Sequence, residues 1–169
     1  MLDKKMEEAL NDQINAEMFS SYLYLSMSAY FTAENLTGFA NWMYVQSQEE
    51  TFHAMKFFDY IHERGGAVEL LAIEKPQAEW DTPLAAFEAA LKHEQYITKR
   101  INDLVDLAME IRDHASNNFL QWFIKEQVEE EASAAEIVAK LEMIKDSPNG
   151  LFMMDRELGA RNFTPPAAE

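Results

Sequence analysis

The sequence contains no cysteine, and glycine and proline occur only five times each in 169 residues. Without cysteine the chain can form no disulfide, no thiolate metal site and no cysteine nucleophile. No apolar run reaches the roughly 18 residues that a membrane-spanning helix needs. The opening segment MLDKKMEEAL also lacks the apolar region of a signal peptide. We therefore expect a cytoplasmic protein with no membrane partner.

Basic residues are scarce as well, with 14 Lys and Arg against 30 Asp and Glu and a formal charge of −16. This balance argues against nucleic-acid binding, which needs a basic surface, and favours attraction of cations. On charge alone, a solvated acidic exterior is the favoured explanation, so the positions of the acidic residues along the helices must decide. Hydrophobic residues make up 48 % of the chain, so residues 1–169 are expected to fold as a single domain.

The scarcity of glycine and proline favours long helices, because neither residue occurs between positions 3 and 37 or between 84 and 147. Thr82 followed by Pro83 is typical of a helix start, and Asp113 is a suitable N-cap. Gly38 and the Gly65-Gly66 pair indicate breaks. The pattern predicts an all-α fold, with long helices near 4–34, 38–64, 83–111 and 114–145 and a short C-terminal helix at about 148–158.

Apolar residues recur at spacings of three and four along each long helix, which predicts a four-helix bundle. Short turns should make the first and second helices antiparallel, and likewise the third and fourth. Residues 65–82, extended at about 3.3 Å per residue, can travel the length of the bundle. We expect them to form a long crossover that places the second and third helices parallel.

Potential metal ligands interrupt every apolar stripe near its middle. They are Glu17 on the first helix, Glu50 and His53 on the second, Glu94 on the third, and Gln127 and Glu130 on the fourth. The spacing repeats, since Glu17 to Glu50 and Glu94 to Gln127 both span 33 residues. With a turn centred near Asn35, His53 lies level with Glu17, so these side chains should meet in one small volume.

Burying several carboxylates together costs several kcal/mol per unpaired ion, and no basic residue shares these stripes. A lone buried Glu is usually a local hydrogen-bonding feature, but four helices that agree in spacing and depth favour a pair of divalent cations. Oxygen donors with one imidazole suit iron or manganese. Di-iron bundles use a Glu from each of two helices and Glu-x-x-His from the other two. Here Gln127-x-x-Glu130 replaces the second Glu-x-x-His.

Four segments carry a resemblance to a known family. They are LNDQINAEMFSSYLYLSM, FANWMYVQSQEETFHAMKFFDYIHERGG, AAFEAALKHEQYITKRI and NFLQWFIKEQVEEEASA. Over nearly its whole length the sequence resembles the non-haem ferritins of bacterial and archaeal type. The resemblance implies a ferritin-like four-helix bundle with a long crossover between its second and third helices. It also implies a ferroxidase centre.

In that centre, the resemblance implies that Glu17, Glu50 and His53 hold a first iron. Glu50 would bridge to a second iron, which Glu94 and Glu130 would also hold.

The resemblance further implies nearby roles for Gln127, as a hydrogen-bonding or labile neighbour, and for Tyr24, as an electron donor. It also suggests a third, more transient iron site built from Glu49, Glu126, Glu129 and Glu130. The last three share a helix face by their spacing. A solvated acidic face is an equally good explanation of these residues.

Single positions of this sequence distinguish it from related families. Bacterioferritin has a histidine where this chain has Glu130, and its haem methionine is expected where this chain has Phe52. Met43 and Met55 are more typical of core filling, so no haem is expected. Rubrerythrin carries an iron module bound by cysteines, which this chain lacks. The small dodecameric DNA-protecting relatives build their metal site across subunits.

The implied activity is oxidation of Fe(II) by dioxygen or peroxide, with storage of ferric oxy-hydroxide inside a hollow shell of 24 copies. Two other hypotheses remain open: a soluble di-iron oxidase or peroxidase without storage, and a metal-free bundle whose polar centre only fixes helix register. Trp42, Trp80, Tyr44 and Phe163 are candidates for subunit interfaces or, equally, for the core. The remaining histidines, His62, His93 and His114, are expected on the surface.

Overall fold

In a computed structural model, which describes residues 2–145 and 147–164, the chain forms five α-helices and, over those residues, no β-strand. The helices are α1 (Lys4–Ala33), α2 (Thr37–Glu63), α3 (Pro83–Glu110), α4 (His114–Ile144) and α5 (Pro148–Leu158). The all-α prediction is confirmed, with helix ends within one residue of the predicted positions. None of these helices is long and apolar enough to cross a membrane.

The helix boundaries follow from local chemistry. Thr82 accepts a hydrogen bond from the backbone N–H of Ala85 with Pro83 in the first turn, and Asp113 caps α4 by accepting from the N–H of Ser116. Both predicted caps are confirmed. Each satisfies a donor that the first turn of a helix leaves unpaired.

Side-chain pairs fix the direction of each helix. Between α1 and α2, Ser21 donates to the carbonyl of Ser47 and Ser28 donates to that of Ala40, each at 2.8 Å. Because the position along α2 falls as that along α1 rises, the two helices are antiparallel.

Helices α2 and α4 are antiparallel by the same test. Gln46 contacts Glu130, whereas Tyr60 contacts Ser116. A short turn at 111–113 reverses the chain between α3 and α4. Helices α2 and α3 therefore run parallel, as predicted.

The crossover lies along α1 and joins the two ends of the bundle. The side-chain amide of Asn11 donates to the carbonyl of Ala67 at 3.0 Å, and Ser26 donates to that of Gln77 at 2.7 Å. These contacts, 15 positions apart on α1, show that the segment runs beside most of that helix. The predicted long crossover is confirmed.

Two apolar clusters fill the bundle, one towards each end. The first contains Phe31, Phe39, Met43 and Phe87, and the second contains Leu10, Phe57, Ile101 and Phe123. Between them lies a layer of buried polar side chains. The polar groups therefore sit where water is excluded from both directions.

The short helix α5 docks on the start of α2. The carboxylate of Asp155 accepts hydrogen bonds from the backbone N–H groups of Gly38 and Phe39, at 2.7 and 3.1 Å. A Cβ at Gly38 would lie 1.6 Å from the carbonyl oxygen of Asp155. Gly38 is thus the second residue of α2 and not a break, and its lack of a side chain permits this contact.

Candidate metal centre

The six central side chains predicted from the sequence are all buried in the polar layer. Glu17, Glu50, His53, Glu94, Gln127 and Glu130 are between 1 % and 6 % exposed. They come from all four long helices, each at the depth that its place in the apolar stripe predicts.

Two groups of possible ligand atoms converge in this layer. Atoms of Glu17, Glu50 and His53 lie within 4.8 Å of one another, and so do atoms of His53, Glu126 and Glu130. His53 Nδ1 is 3.4 Å from the Glu50 carboxylate, and its Nε2 is 3.9 Å from that of Glu126. The imidazole therefore lies between two sets of carboxylates.

Glu94 completes the layer from α3. The hydroxyl of Tyr24 donates to one of its carboxylate oxygens, and the amide of Gln127 lies 3.3 Å from the other. Tyr24 itself is fully buried. The structure thus places Tyr24 and Gln127 directly beside Glu94.

Burial has a large effect on the acidity of these groups. Removal from water, and then repulsion by Glu50, raises the pKa of both Glu17 and Glu94 to about 8. Burial and repulsion by Glu130 raise the pKa of Glu50 well above its usual value, and burial with repulsion by Glu94 raises that of Glu130. Without cations, the cluster holds protons that free carboxylic acids would release at neutral pH.

One oxygen of the cluster lacks a partner among the described residues. Glu17 Oε2 is buried and accepts no hydrogen bond there, although Gln13 donates to the other oxygen at 2.7 Å. A buried acceptor without a donor is costly unless a cation or a proton satisfies it. The donor set, mostly oxygen with one imidazole nitrogen, fits iron.

Two glutamines that are not among the site residues predicted from the sequence hold the carboxylates in place. Gln13 donates to Glu17, while Gln46 donates to Glu50 at 3.1 Å and to Glu130 at 2.7 Å. Each glutamine precedes its glutamate by four residues, and the two glutamines are 33 positions apart, like Glu17 and Glu50. Extending the repeat by one helical turn would have found them.

An arginine in turn contacts each glutamine. Arg100 donates to Gln13 Oε1 at 2.9 Å, and Arg161 donates to Gln46 Oε1 at 2.8 Å. With its oxygen taken, each amide presents its NH₂ group to the carboxylates. Neither arginine belongs to an apolar stripe, so the expected absence of basic residues holds for the stripes but not for the surroundings of the centre.

The residues suggested for a third iron site are only partly assembled. Glu126 is half-buried and faces His53, and Glu49 is half-buried and forms an ion pair with Arg161. Glu129 is exposed and belongs to neither group of close ligand atoms in the described chain.

One surface prediction is wrong. His62 and His114 are exposed, but His93 is half-buried, with its Nε2 2.7 Å from the Ser20 hydroxyl and its ring 5.9 Å from that of Phe19. Burial lowers the pKa of His93 to about 4. The ring packs against α1, and this contact depends on how α1 and α3 lie together, which the sequence position alone did not indicate.

The aromatic and methionine candidates divide between core and surface. Trp42 is 6 % and Met43 0 % exposed, and the Trp80 ring packs against Tyr30 at 5.4 Å. Tyr44 is 50 % and Met55 43 % exposed, while Phe163 is half-buried.

A bundle with a long crossover, whose four helices bring glutamates and a histidine together between two apolar layers, defines the ferritin-like class of carboxylate-rich metal proteins. A family model described as a ferritin-like domain matches residues 7–144. The chain belongs to the ferritin family.

Sequence relatives and solved structures support the same family assignment. The chain is 47 % identical to a bacterial non-heme ferritin of Bacteroides fragilis over 161 residues, covering 95 % of this chain and 100 % of that protein. A bacterial non-heme ferritin of Staphylococcus aureus is 40 % identical over 163 residues, covering 96 % and 98 %.

Among solved structures, an engineered closed form of the Archaeoglobus fulgidus ferritin is 57 % identical, with a TM-score of 0.96 over 97 % of this chain and 100 % of that chain. The open-pore ferritin of the same archaeon is 56 % identical, with a TM-score of 0.95 over 96 % and 100 %. This chain is therefore similar to bacterial non-heme ferritins and to an archaeal ferritin.

Proposed function

We propose that this protein is an iron-storage ferritin that oxidises Fe(II) at a dinuclear ferroxidase centre and keeps the ferric product as an oxy-hydroxide mineral. The observation that carries the proposal is the convergence of Glu17, Glu50 and His53 within 4.8 Å, with one buried Glu17 oxygen left without a described partner. Only bound cations make such a group of carboxylates favourable in their ionised form.

In the proposed centre, Glu17, Glu50 and His53 hold one iron. Glu50 bridges to a second iron, which Glu94 and Glu130 also hold. Support for this assignment comes from the burial of all four carboxyl groups in one layer, where burial first, and then repulsion between neighbouring carboxylates, raises their pKa values. Gln127 and Tyr24 orient Glu94 from either side.

The reaction follows from this arrangement. Two Fe(II) ions each give up one electron, and dioxygen takes up both electrons with two protons to form hydrogen peroxide. Peroxide can serve in turn as the oxidant, taking two electrons and two protons to form two waters. The carboxylates stabilise the higher charge of Fe(III), which hydrolyses to the mineral and releases protons. Tyr24, held against Glu94, would serve as an electron donor in place of one Fe(II) when too few Fe(II) ions are bound to reduce the oxidant.

Storage requires a container, and we propose that 24 copies form a hollow shell in the cytoplasm. Support comes from large apolar side chains on the surface of the described chain, including Tyr44, Phe152 and Met153, which are 50 %, 64 % and 71 % exposed. Side chains of this kind are typical of subunit interfaces. Iron ions and the oxidant are the small partners.

Aerobic addition of Fe(II) to metal-free protein tests the proposal. Ferric absorbance should rise quickly in the unmodified protein and at least about tenfold more slowly in Glu50→Ala. Glu88→Ala, which removes an exposed glutamate from α3, is the matched control and should match the unmodified protein. Equal rates in all three would contradict the ferroxidase assignment.

Size-exclusion chromatography after iron loading separates storage from simple oxidation. Iron should elute with a large assembly and remain there after dialysis. A small oligomer that oxidises Fe(II) but retains no mineral would instead identify a di-iron oxidase or peroxidase.

A further inference from the structure

The segment after α5 is held against the first half of α2. Asp155 fixes α5 to the start of α2, and the side-chain amide of Asn41 donates to the backbone carbonyl of Arg161 at 2.9 Å. This anchoring brings Arg161 beside the next turns of α2, within reach of the metal centre.

Three contacts define the position of the Arg161 side chain. Its guanidinium donates to Gln46 Oε1 at 2.8 Å and to the Glu49 carboxylate at 2.5 Å, and it lies 4.4 Å from the centre of the Trp42 ring. The side chains of Arg161 and Glu49 are only 24 % and 23 % exposed, so water screens this pair less than it screens a surface pair.

The Glu49 carboxylate that Arg161 occupies is the one that the third iron site needs. Glu126, another suggested ligand of that site, faces His53, and Arg161 forms the ion pair with the Glu49 carboxylate. A divalent cation bound to Glu49 would compensate the same charge and would also repel the guanidinium. The arginine and the metal therefore exclude each other.

We infer that Arg161 is an internal cation of the third site, which pairs with Glu49 while that site is empty and must leave before a divalent cation binds there. The inference rests on the proposed function, because it assumes the iron centre described above. Its consequence is that the third cation binds most weakly and exchanges most readily. Departure of Arg161 also frees the oxygen of Gln46, whose amide contacts Glu50 and Glu130, which links the third site to the dinuclear centre.

Zn(II), which undergoes no redox reaction, tests the inference in calorimetric titrations and equilibrium dialysis of assembled, metal-free protein. In Arg161→Gln the weakest class of Zn(II) sites should tighten about fivefold or more, because its competitor is gone. Arg156→Gln removes the same charge from an exposed position of α5 and should leave that class unchanged. Glu49→Gln should remove the weakest class and spare the tighter ones.

A crystal structure of the Zn(II)-loaded protein supplies the second readout. We expect zinc at Glu49 and the Arg161 guanidinium displaced from it. Zinc at Glu49 with Arg161 still in place, or an unchanged weakest class in Arg161→Gln, would overturn the inference and leave the ferroxidase proposal standing. Failure of any Zn(II) to bind at Glu17 and Glu50 would overturn the proposed function itself.

Discussion

At the scale of single residues, the ionised carboxylates of the metal centre lack the hydration that would stabilise their charge. Four glutamates lie where apolar layers exclude water, so in the absence of cations each ionised carboxylate lowers the stability of the fold. Function thus requires an arrangement that folding alone disfavours, and single substitutions should separate the two.

Replacing Glu17 with glutamine should stabilise the metal-free protein by about 1 kcal/mol at pH 8, because it removes a buried charge and gives the side chain a donor. The same change should lower the rate of Fe(II) oxidation at least about tenfold. Thermal unfolding of metal-free protein and ferric absorbance measure the two effects. Glu88→Gln is the control, and a loss of metal-free stability in Glu17→Gln alone would contradict this account.

Asp113, which lies away from the metal centre, makes the stability of the fold depend on pH. Although burial alone would raise its pKa, hydrogen bonds from Ser116 and the ion pair with Arg64 hold the pKa below its usual value. The Asp113 carboxylate therefore binds a proton less readily in the folded protein than in the unfolded chain. Its contribution to the free energy of unfolding is fully present above the ordinary pKa of Asp. That contribution is lost as the pH falls through the lowered pKa.

Asp113→Asn should accordingly cost about 1 kcal/mol at pH 7 and progressively less as the pH falls below 4. Melting temperatures measured between pH 3 and 7 provide the test. Asp103→Asn, which affects an exposed ion pair with Lys99, is the control and should show almost no cost. A cost for Asp113→Asn that does not change with pH would exclude the charge as its source.

At the scale of elements, the contact between α2 and α5 decides where the C-terminal segment lies. The backbone of α5 approaches Gly38 so closely that no side chain fits there. The docking of α5 and the reach of Arg161 to Gln46 therefore depend on one glycine.

Gly38→Ala should force α5 away from α2 and cost about 2 kcal/mol or more, the effect of an overpacked contact. Gly159→Ala is the graded control, because its added Cβ would meet its nearest atoms at 3.3 Å, and it should cost clearly less. Thermal unfolding measures both variants. Equal melting temperatures for Gly38→Ala and the unmodified protein would show that α5 does not need this contact.

At the scale of the whole molecule, the charge of −16 and the exposed apolar residues have opposite effects on association between copies. Acidic residues keep copies apart and attract cations, whereas the apolar surface favours association. The proposed closed shell would satisfy both, because it would bury these apolar residues between copies and leave acidic groups facing solvent.

The double variant Phe152→Lys with Met153→Lys should prevent assembly, since it would bury two charges in the proposed interface. Analytical ultracentrifugation should then find small oligomers that still oxidise Fe(II) but retain no mineral. Glu88→Lys, which places a lysine at an exposed polar position, should leave the shell intact. An intact shell in the double variant would show that α5 lies outside the interfaces.

The sequence alone determined the five helices, the crossover and the six central side chains. The reason is that caps, the three-and-four periodicity and the spacing of 33 are local signals repeated along the chain. The same 33-residue repeat also relates Gln13 to Gln46, which lie one helical turn before Glu17 and Glu50.

Only the tertiary structure decided that Arg161 reaches Gln46 and Glu49, that Arg100 supports Gln13, and that His93 is half-buried. Arg161 and Gln46 are 115 positions apart, and their contact depends on how α5 docks at Gly38. No helical period connects such residues, because a contact between elements depends on packing and not on spacing along one of them.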